Sequence, residues 1–188
     1  MSFQSWVETL GVASTDGPAL TNTITATSLL PPPAKVVLPA QFFDRAGKTL
    51  RIKAFGRIST VVTTPGTFAF DVRFGSIAVF ACGAMNLNAT AQTNASFTFE
   101  ALLVCRAIGN GTTATVFGGG SFESRAVVGS PAATVGSAGR IVLNETAPTV
   151  GAGFDSTTAQ TVDLFGTWSI ANAANSIQIH HYLIESVN

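Results

Sequence analysis

The chain is expected to fold as an all-β protein: a jelly-roll-like antiparallel β-sandwich or barrel with an extended N-terminal arm. Three observations predict this. Apolar residues recur at every second position in stretch after stretch, the period of half-buried strands. Turn residues punctuate those stretches. No segment past the N-terminus keeps an apolar period of 3.6 over ten residues. Roughly eight to ten strands follow from that spacing, the pattern of a sandwich or barrel.

The elements run as follows. Residues 1–34 read as an arm, rich in Thr, Ser and Gly, with one short strand possible at Thr21 to Thr27. Pro31-Pro32-Pro33 removes three backbone donors and favours stiff, polyproline-like backbone leading into the body at 35–188. After a turn at Asp44 to Lys48, Leu50, Ile52, Ala54, Gly56 and Ile58 share one face of a strand. Arg51, Lys53, Phe55 and Arg57 share the other. Thr64-Pro65-Gly66-Thr67 has the chemistry of a type II turn: Pro65 presets φ and Gly66 accepts positive φ. Phe68, Phe70, Val72 and Phe74 then point one way, so Gly56 to Ser76 reads as a hairpin.

A short apolar strand at Ile77 to Cys82 and a polar connection, "NLNATAQTN", come next. Phe97, Phe99, Ala101, Leu103 and Cys105 form another apolar face. Leu102 and Val104 fall on its reverse, which suggests that both faces are partly covered. "GNGTT" turns the chain into a strand from Ala114, carried on by "GGGSFESRAVV". Residues 129–160 are rich in Gly, Ala, Ser and Pro and should hold an edge strand at Arg140 to Leu143. Val162 to Ile170 and Ile177 to Ile184 alternate again and close the chain. In the last of these, Ile177, Ile179, His181 and Leu183 share one face.

Composition narrows the function. With 188 residues, 46% apolar content and 14 Phe, the chain can bury one sizeable core. Charged residues make up only 11%, against about 25% in an average soluble protein. The net charge is zero. So little charge protects a free monomer poorly against association, which favours life in an assembly. It also argues against nucleic acid, which needs a positive footprint. The basic run from Lys35 to Arg57 reads as a solvated strand face, with an interface to an acidic neighbour as the sharper alternative. No apolar run approaches a membrane span, and the N-terminus lacks the apolar core of a signal peptide, so a soluble chain kept inside the cell is expected.

Candidate chemistry is sparse. Cys82 and Cys105 form no C-x-x-C pair and are expected as buried free thiols. His180 and His181 are adjacent, so on a strand they are expected to point to opposite faces and not easily to ligate one metal or act on one substrate together. No G-x-S-x-G is present, and "GGGSF" lacks the lysine of a phosphate loop; it reads as a site of close backbone approach. Carboxylates are scattered. Asp155 lacks the dense acidic spacing of a calcium loop. The Asn88, Asn94, Asn110 and Asn144 sequons read as chance triplets. No enzyme activity, metal or cofactor is expected.

Several phrases resemble a family of tailed-bacteriophage virion structural proteins: "ALTNTITATSLLPPPAKVVLPAQFF", "GKTLRIKAFGRISTVVTTPGTFAFDVRFGS", "AMNLNATAQTN" and "GFDSTTAQTVDLFGTWSIANAANSIQIHHYLIESVN". The resemblance implies a component of the virion and carries over no catalytic residue. With it, the reading is a capsid decoration or cement protein, a homotrimer that binds the major capsid protein or other virion subunits. Trp6, Val7 and Leu10, with Pro31, Pro32 and Pro33, are the expected interface residues on the arm. The alternatives are a receptor- or glycan-binding module of a head or tail fibre, with Trp168, Tyr182 and Phe154 as its aromatic candidates, and a tail tube or baseplate subunit.

Overall fold

The computed structural model describes residues 6–129, 139–144 and 149–187. In chain order the strands are β1 (Val7–Val12), β2 (Leu20–Thr21), β3 (Thr27–Ser28), β4 (Val36–Leu38), β5 (Thr49–Thr60), β6 (Thr67–Phe74), β7 (Ile77–Leu87), β8 (Gln92–Ala107), β9 (Thr115–Glu123), β10 (Val127–Gly129), β11 (Arg140–Leu143), β12 (Gln160–Trp168) and β13 (Ser176–Val187). They form two sheets, a seven-stranded one in the order β1-β13-β5-β8-β9-β11, with β2 also on β13, and a six-stranded one in the order β10-β7-β6-β12-β3, with β4 also on β12. Every neighbouring pair is antiparallel. The expected β-sandwich is therefore the architecture found. The edge strand expected at Arg140 to Leu143 is β11, at one end of the larger sheet.

The expected hairpin at Gly56 to Ser76 is not one. β5 pairs with β13 and β8, while β6 pairs with β12 and β7, so the Thr64–Thr67 turn carries the chain from one sheet to the other. The reason lies in the side chains. Both strands carry an unbroken apolar face, and packing those faces against each other across a core buries more than setting them side by side. The crossover is held from outside. Buried Asn175 accepts the Val61 amide at 2.8 Å and donates to the Pro65 carbonyl at 3.0 Å, and the Ser169 hydroxyl accepts the Thr67 amide at 2.7 Å. Gly66 does take the positive φ its turn requires, 75°, and a Cβ there would strike the Ser169 hydroxyl.

The N-terminal segment is not a separate arm. β1 and β2 pair with β13 in the larger sheet, and β3 and β4 pair with β12 in the smaller one. Within its first 38 residues the chain thus closes one side of both layers. Ala13, Leu20, Leu29, Leu30 and Ala34 are core residues, and the Trp168 indole donates to the Leu20 carbonyl at 3.2 Å. Thr- and Ser-rich composition concealed this, because each strand here is too short to display a period. The three prolines also differ from expectation. Pro31 is extended, but Pro32–Ala34 is one 3₁₀ turn, closed by the Ala34 amide on the Pro31 carbonyl at 2.9 Å. Proline's fixed φ suits the start of such a turn as well as it suits polyproline helix.

β13 departs from its expected phase. The pairing of β13 with β5 shifts register between Ile179 and His181. This bulge inserts one residue and resets the alternation. Ile177 and Ile179 face the core, as do Tyr182, Ile184 and Ser186, while His180 and His181 are both exposed. His181 and Leu183 therefore do not share the face of Ile177. β7 also runs further than the expected Ile77 to Cys82, burying Met85 and Leu87, so only residues 88–91 connect it to β8.

Aromatic rings fill the space between the layers. Phe70 of β6 meets Phe97 and Phe99 of β8 and Phe122 of β9, at 4.8 Å from Phe99 and 5.4 Å from Phe122, and Phe68 packs on Phe70 and Trp168. A second group joins Phe43, Phe74 and Phe154. The glycines of "GGGSF" permit the close approach expected of them: a Cβ on Gly118 would strike the Phe80 ring, and one on Gly120 the Glu100 carbonyl.

Candidate interaction surface

In the larger sheet the inward set is Leu50, Ile52, Ala54 and Ile58 of β5, with their partners, and the alternate set faces out. The register lays that outer set in rows. One row runs Val12, Leu183, Lys53, Glu100, Ser121, Val142; the next runs Thr9, Glu185, Arg51, Leu102, Gly119. On one side of these lies His181, Phe55, Thr98, Glu123, Arg140, and on the other Val7, Val187, Thr49, Val104, Phe117. Large apolar side chains stand exposed in every one of these rows or at its end: Val142 is 62% exposed, Val7 51%, Leu102 44% and Phe55 43%.

Two cation–carboxylate pairs lie within this face. The Arg51 guanidinium donates to Glu185 through Nε at 2.7 Å and Nη2 at 2.6 Å, and Lys53 Nζ lies 3.8 Å from Glu100. The basic stretch therefore does not wait for an acidic neighbour at Arg51 and Lys53, because the fold supplies their counter-charges. His181 packs its ring on Phe55 at 5.7 Å, and His180 Nδ1 lies 3.0 Å from Asp16 Oδ1.

The outer face of the smaller sheet is built differently. Ala69, Ala81 and Ala84 are small, Arg73 pairs with Asp71 at 3.1 Å, and the same guanidinium lies 4.1 Å over the Phe165 ring. Among the described residues of its strands, only Val37 is an exposed large hydrophobic. Of two sheets facing water, one is thus markedly more apolar than the other, and such asymmetry marks an interaction surface.

The expected interface residues divide. Trp6 and Val7 are exposed, on and just before β1 at the edge of the apolar face. Leu10 is half-buried and packs on the core. Pro31 is buried, and Pro32 and Pro33 are exposed beside the smaller sheet, away from that face. The residues that sequence reasoning did not assign to the interface are Val12, Phe55, Leu102 and Val142. A signal for one of them existed: Leu102 and Val104 break the polar side of β8.

Rival chemistries lose their candidates. Trp168, Tyr182 and Phe154 are fully buried, so they form no sugar platform. Among the described residues no three of His, Cys, Asp and Glu are grouped to hold a metal ion. Asp155 Oδ1 accepts the Thr157 amide at 2.8 Å and the Thr157 hydroxyl at 2.6 Å, which lowers its pKa and fixes a turn. Asp163, almost buried, is satisfied by Lys35 Nζ at 2.7 Å, the Ser28 hydroxyl at 2.8 Å and the Leu164 amide at 2.8 Å. An open cleft of about 780 Å³ is walled by Asn88, Ser96, Phe97, Glu123, Arg125 and Val128, with Glu123 and Arg125 its ionisable side chains. No helix among the described residues is long and apolar enough to cross a membrane.

The two cysteines are buried and free, as expected. Burial, reinforced by Asp71, pushes the Cys82 thiol well up; burial, with Asp163 adding to it, pushes the Tyr182 phenol up too. Both groups ionise more easily unfolded, near about pH 8.5 and about pH 10. Their contribution to stability is therefore complete below those values and is lost progressively as pH rises from them toward the higher folded values. Melting temperature should fall steeply above about pH 9. A Cys82→Ala, Tyr182→Phe double variant, melted across the same range, should show a shallower fall.

No family model matches the chain, and neither does any curated protein. Several solved structures are similar in layout. The CBM2 module of the evolved Dit of Lactobacillus casei BL23 phage J-1 shares 10% identity at a TM-score of 0.44, over 99% of this chain and 98% of that one. Lectin UEA-II complexed with galactose shares 10% at 0.32, over 98% of each chain. The β-fructofuranosidase of Schwanniomyces occidentalis shares 8% at 0.30, over 97% of this chain and 34% of that one. Likenesses this distant assign no residue a role.

Proposed function

We propose that the chain is a non-enzymatic structural subunit of a bacteriophage particle. It works as a capsid decoration or cement protein, associates with itself as a homotrimer, and binds the major capsid protein or other virion subunits on the head surface. The observation that carries this reading is the apolar outer face of the larger sheet, on which Arg51 and Lys53 are paired with carboxylates of the same chain. Such a face adheres without needing a charged partner, and a lattice multiplies modest contacts into avidity. The resemblance of the sequence to tailed-phage virion proteins supports the setting. The mechanism is mechanical: subunits bridge neighbouring capsomers and raise the barrier to shell rupture.

The test is to image intact particles and locate the subunit, with mass spectrometry of purified heads as a first step. Density on the outer shell, and heads that rupture at lower temperature when the gene is deleted, are the expected results. Density confined to a fibre, together with a glycan-array signal from the purified chain, would replace this reading with a receptor-binding one. Stacked rings would point to a tail or baseplate subunit.

A further inference from the structure

We propose that copies of this chain bury the outer face of the seven-stranded sheet against one another. The inference rests on the reading of the chain as a self-associating subunit and names the surface that does it. The partner is a second copy of the same chain, and the contact is made by the face and not by a sheet edge.

The edge is the first surface to weigh, because among the described residues β1 has no partner on its outer side, and it carries Val7 with Trp6 just before it. It is, however, a blunted edge. A register shift between Thr9 and Gly11 leaves Leu10 as an extra residue, and Glu8 places a charge on the strand. Bulges and charges are the devices by which edge strands avoid pairing. The opposite edge, β11, is four residues long and carries Arg140. Neither edge offers a long flat strand for another to join.

The face offers more. Across six strands spaced about 4.8 Å apart it is roughly 29 Å wide. Along β5, nine residues from Thr49 to Arg57 at about 3.3 Å each give a height of roughly 30 Å. The product is close to the ~800 Å² that each partner contributes to a stable protein–protein contact. Val7, Val12, Phe55, Leu102 and Val142 are spread over it, so the apolar material is not confined to one corner.

Charge then selects the partner. A surface aimed at a charged neighbour would leave an excess of one sign. Here Arg51 is matched by Glu185 and Lys53 by Glu100 inside one protomer. Two copies approaching through this face meet no unbalanced like charge along those rows, and the chain as a whole has zero net charge to oppose association. Arg57 further along β5 and Arg106 of β8 stand on the same face outside these pairs, so the fit to a second copy rests on the two central rows.

The experiment measures mass by light scattering and sedimentation over a wide concentration range. It uses the full chain, Phe55→Glu and Leu102→Lys on the proposed face, and Ala84→Lys on the smaller sheet as control. The wild type should be oligomeric. Each face variant should weaken association about tenfold or more, as expected for a central contact residue, and the control should not. Hydroxyl-radical footprinting of the wild-type oligomer should show Phe55 and Leu102 protected relative to dilute monomer, which settles the matter even if a variant folds poorly. A wild type that stays monomeric throughout, an oligomer indifferent to both face variants, or equal disruption by Ala84→Lys would each overturn the inference. Mass spectrometry of purified particles is read separately. A monomer found on heads sinks this inference and the homotrimer but spares the place on the head surface, and an oligomer absent from particles does the reverse.

Discussion

A chain lacking residues 1–34 is expected not to fold. The segment supplies Leu20, Leu29 and Leu30 to the core, all nearly inaccessible to solvent, along with Ala13 and Ala34. Burial of one leucine is worth about 1.5–3 kcal/mol, so the three together approach the 5–15 kcal/mol typical of a whole domain. The loss does not stop at those side chains. β13 would be left without β1 and β2, and β12 without β3, which strips partners from the backbone on one side of each sheet. The buried Trp168 indole would lose its acceptor at Leu20, and Asp163 would lose the Ser28 hydroxyl. Near-UV circular dichroism and Trp fluorescence of the truncated chain should therefore show no cooperative melt. Point variants give a graded version: Leu29→Ala and Leu30→Ala should each cost about 2–5 kcal/mol in urea unfolding. A truncated chain that melts cooperatively near the wild-type temperature would return residues 1–34 to the status of a detachable arm.

The same segment shows where a sequence stops being legible. Long strands announce themselves, because eight or more residues of alternation leave little choice of face. β5, β6, β8 and β12 were readable in this way, down to the side on which Leu50 or Phe97 would lie. Strands of two or three residues, such as β2, β3 and β4, have no period to read. They exist because β12 and β13 present open edges, which is a tertiary cause. The crossover at Thr64–Thr67 was misread for a related reason. A turn of that chemistry serves a hairpin or a passage between sheets equally well, and only the pairing partners distinguish them. The bulge in β13 did leave a trace. Apolar residues at 177, 179, 182 and 184 skip one step where the two histidines intervene, and that skip is the bulge. As for the surface, Trp6 and Val7 were visible as apolar residues in polar company. Phe55 and Leu102 could be placed outside their strands, but nothing in the sequence said that β5 and β8 would be neighbours and bring them onto one face.

Phe70→Ala is expected to be the most damaging single substitution in the body, and its logic bears on the surface as well. Phe70 is fully buried on β6, and its ring contacts Phe68 at 4.9 Å, Phe99 at 4.8 Å, Phe122 at 5.4 Å and Phe97 at 6.2 Å. Three of those partners belong to the opposite sheet, so the ring is a link between the layers. Truncation removes the transfer free energy of the ring and leaves a cavity walled by side chains that cannot collapse into it without shifting a strand. The expected cost is about 3–5 kcal/mol, with ring–ring geometry placing it toward the upper end. For a domain of this length that corresponds to a fall in melting temperature of roughly 6–20 °C. Phe55→Ala makes the comparison decisive. The residue type is the same, but Phe55 lies on the outer face of β5 and is 43% exposed. Its removal should change the stability of the dissociated protomer by no more than about 0.5 kcal/mol, as for most surface sites, while weakening association. One phenylalanine would then report on folding and the other on assembly. If Phe55→Ala lowered the melting temperature of the dilute protomer as far as Phe70→Ala does, the outward orientation of that row would be wrong. The surface assigned to self-association would then have to be sought elsewhere on the sandwich.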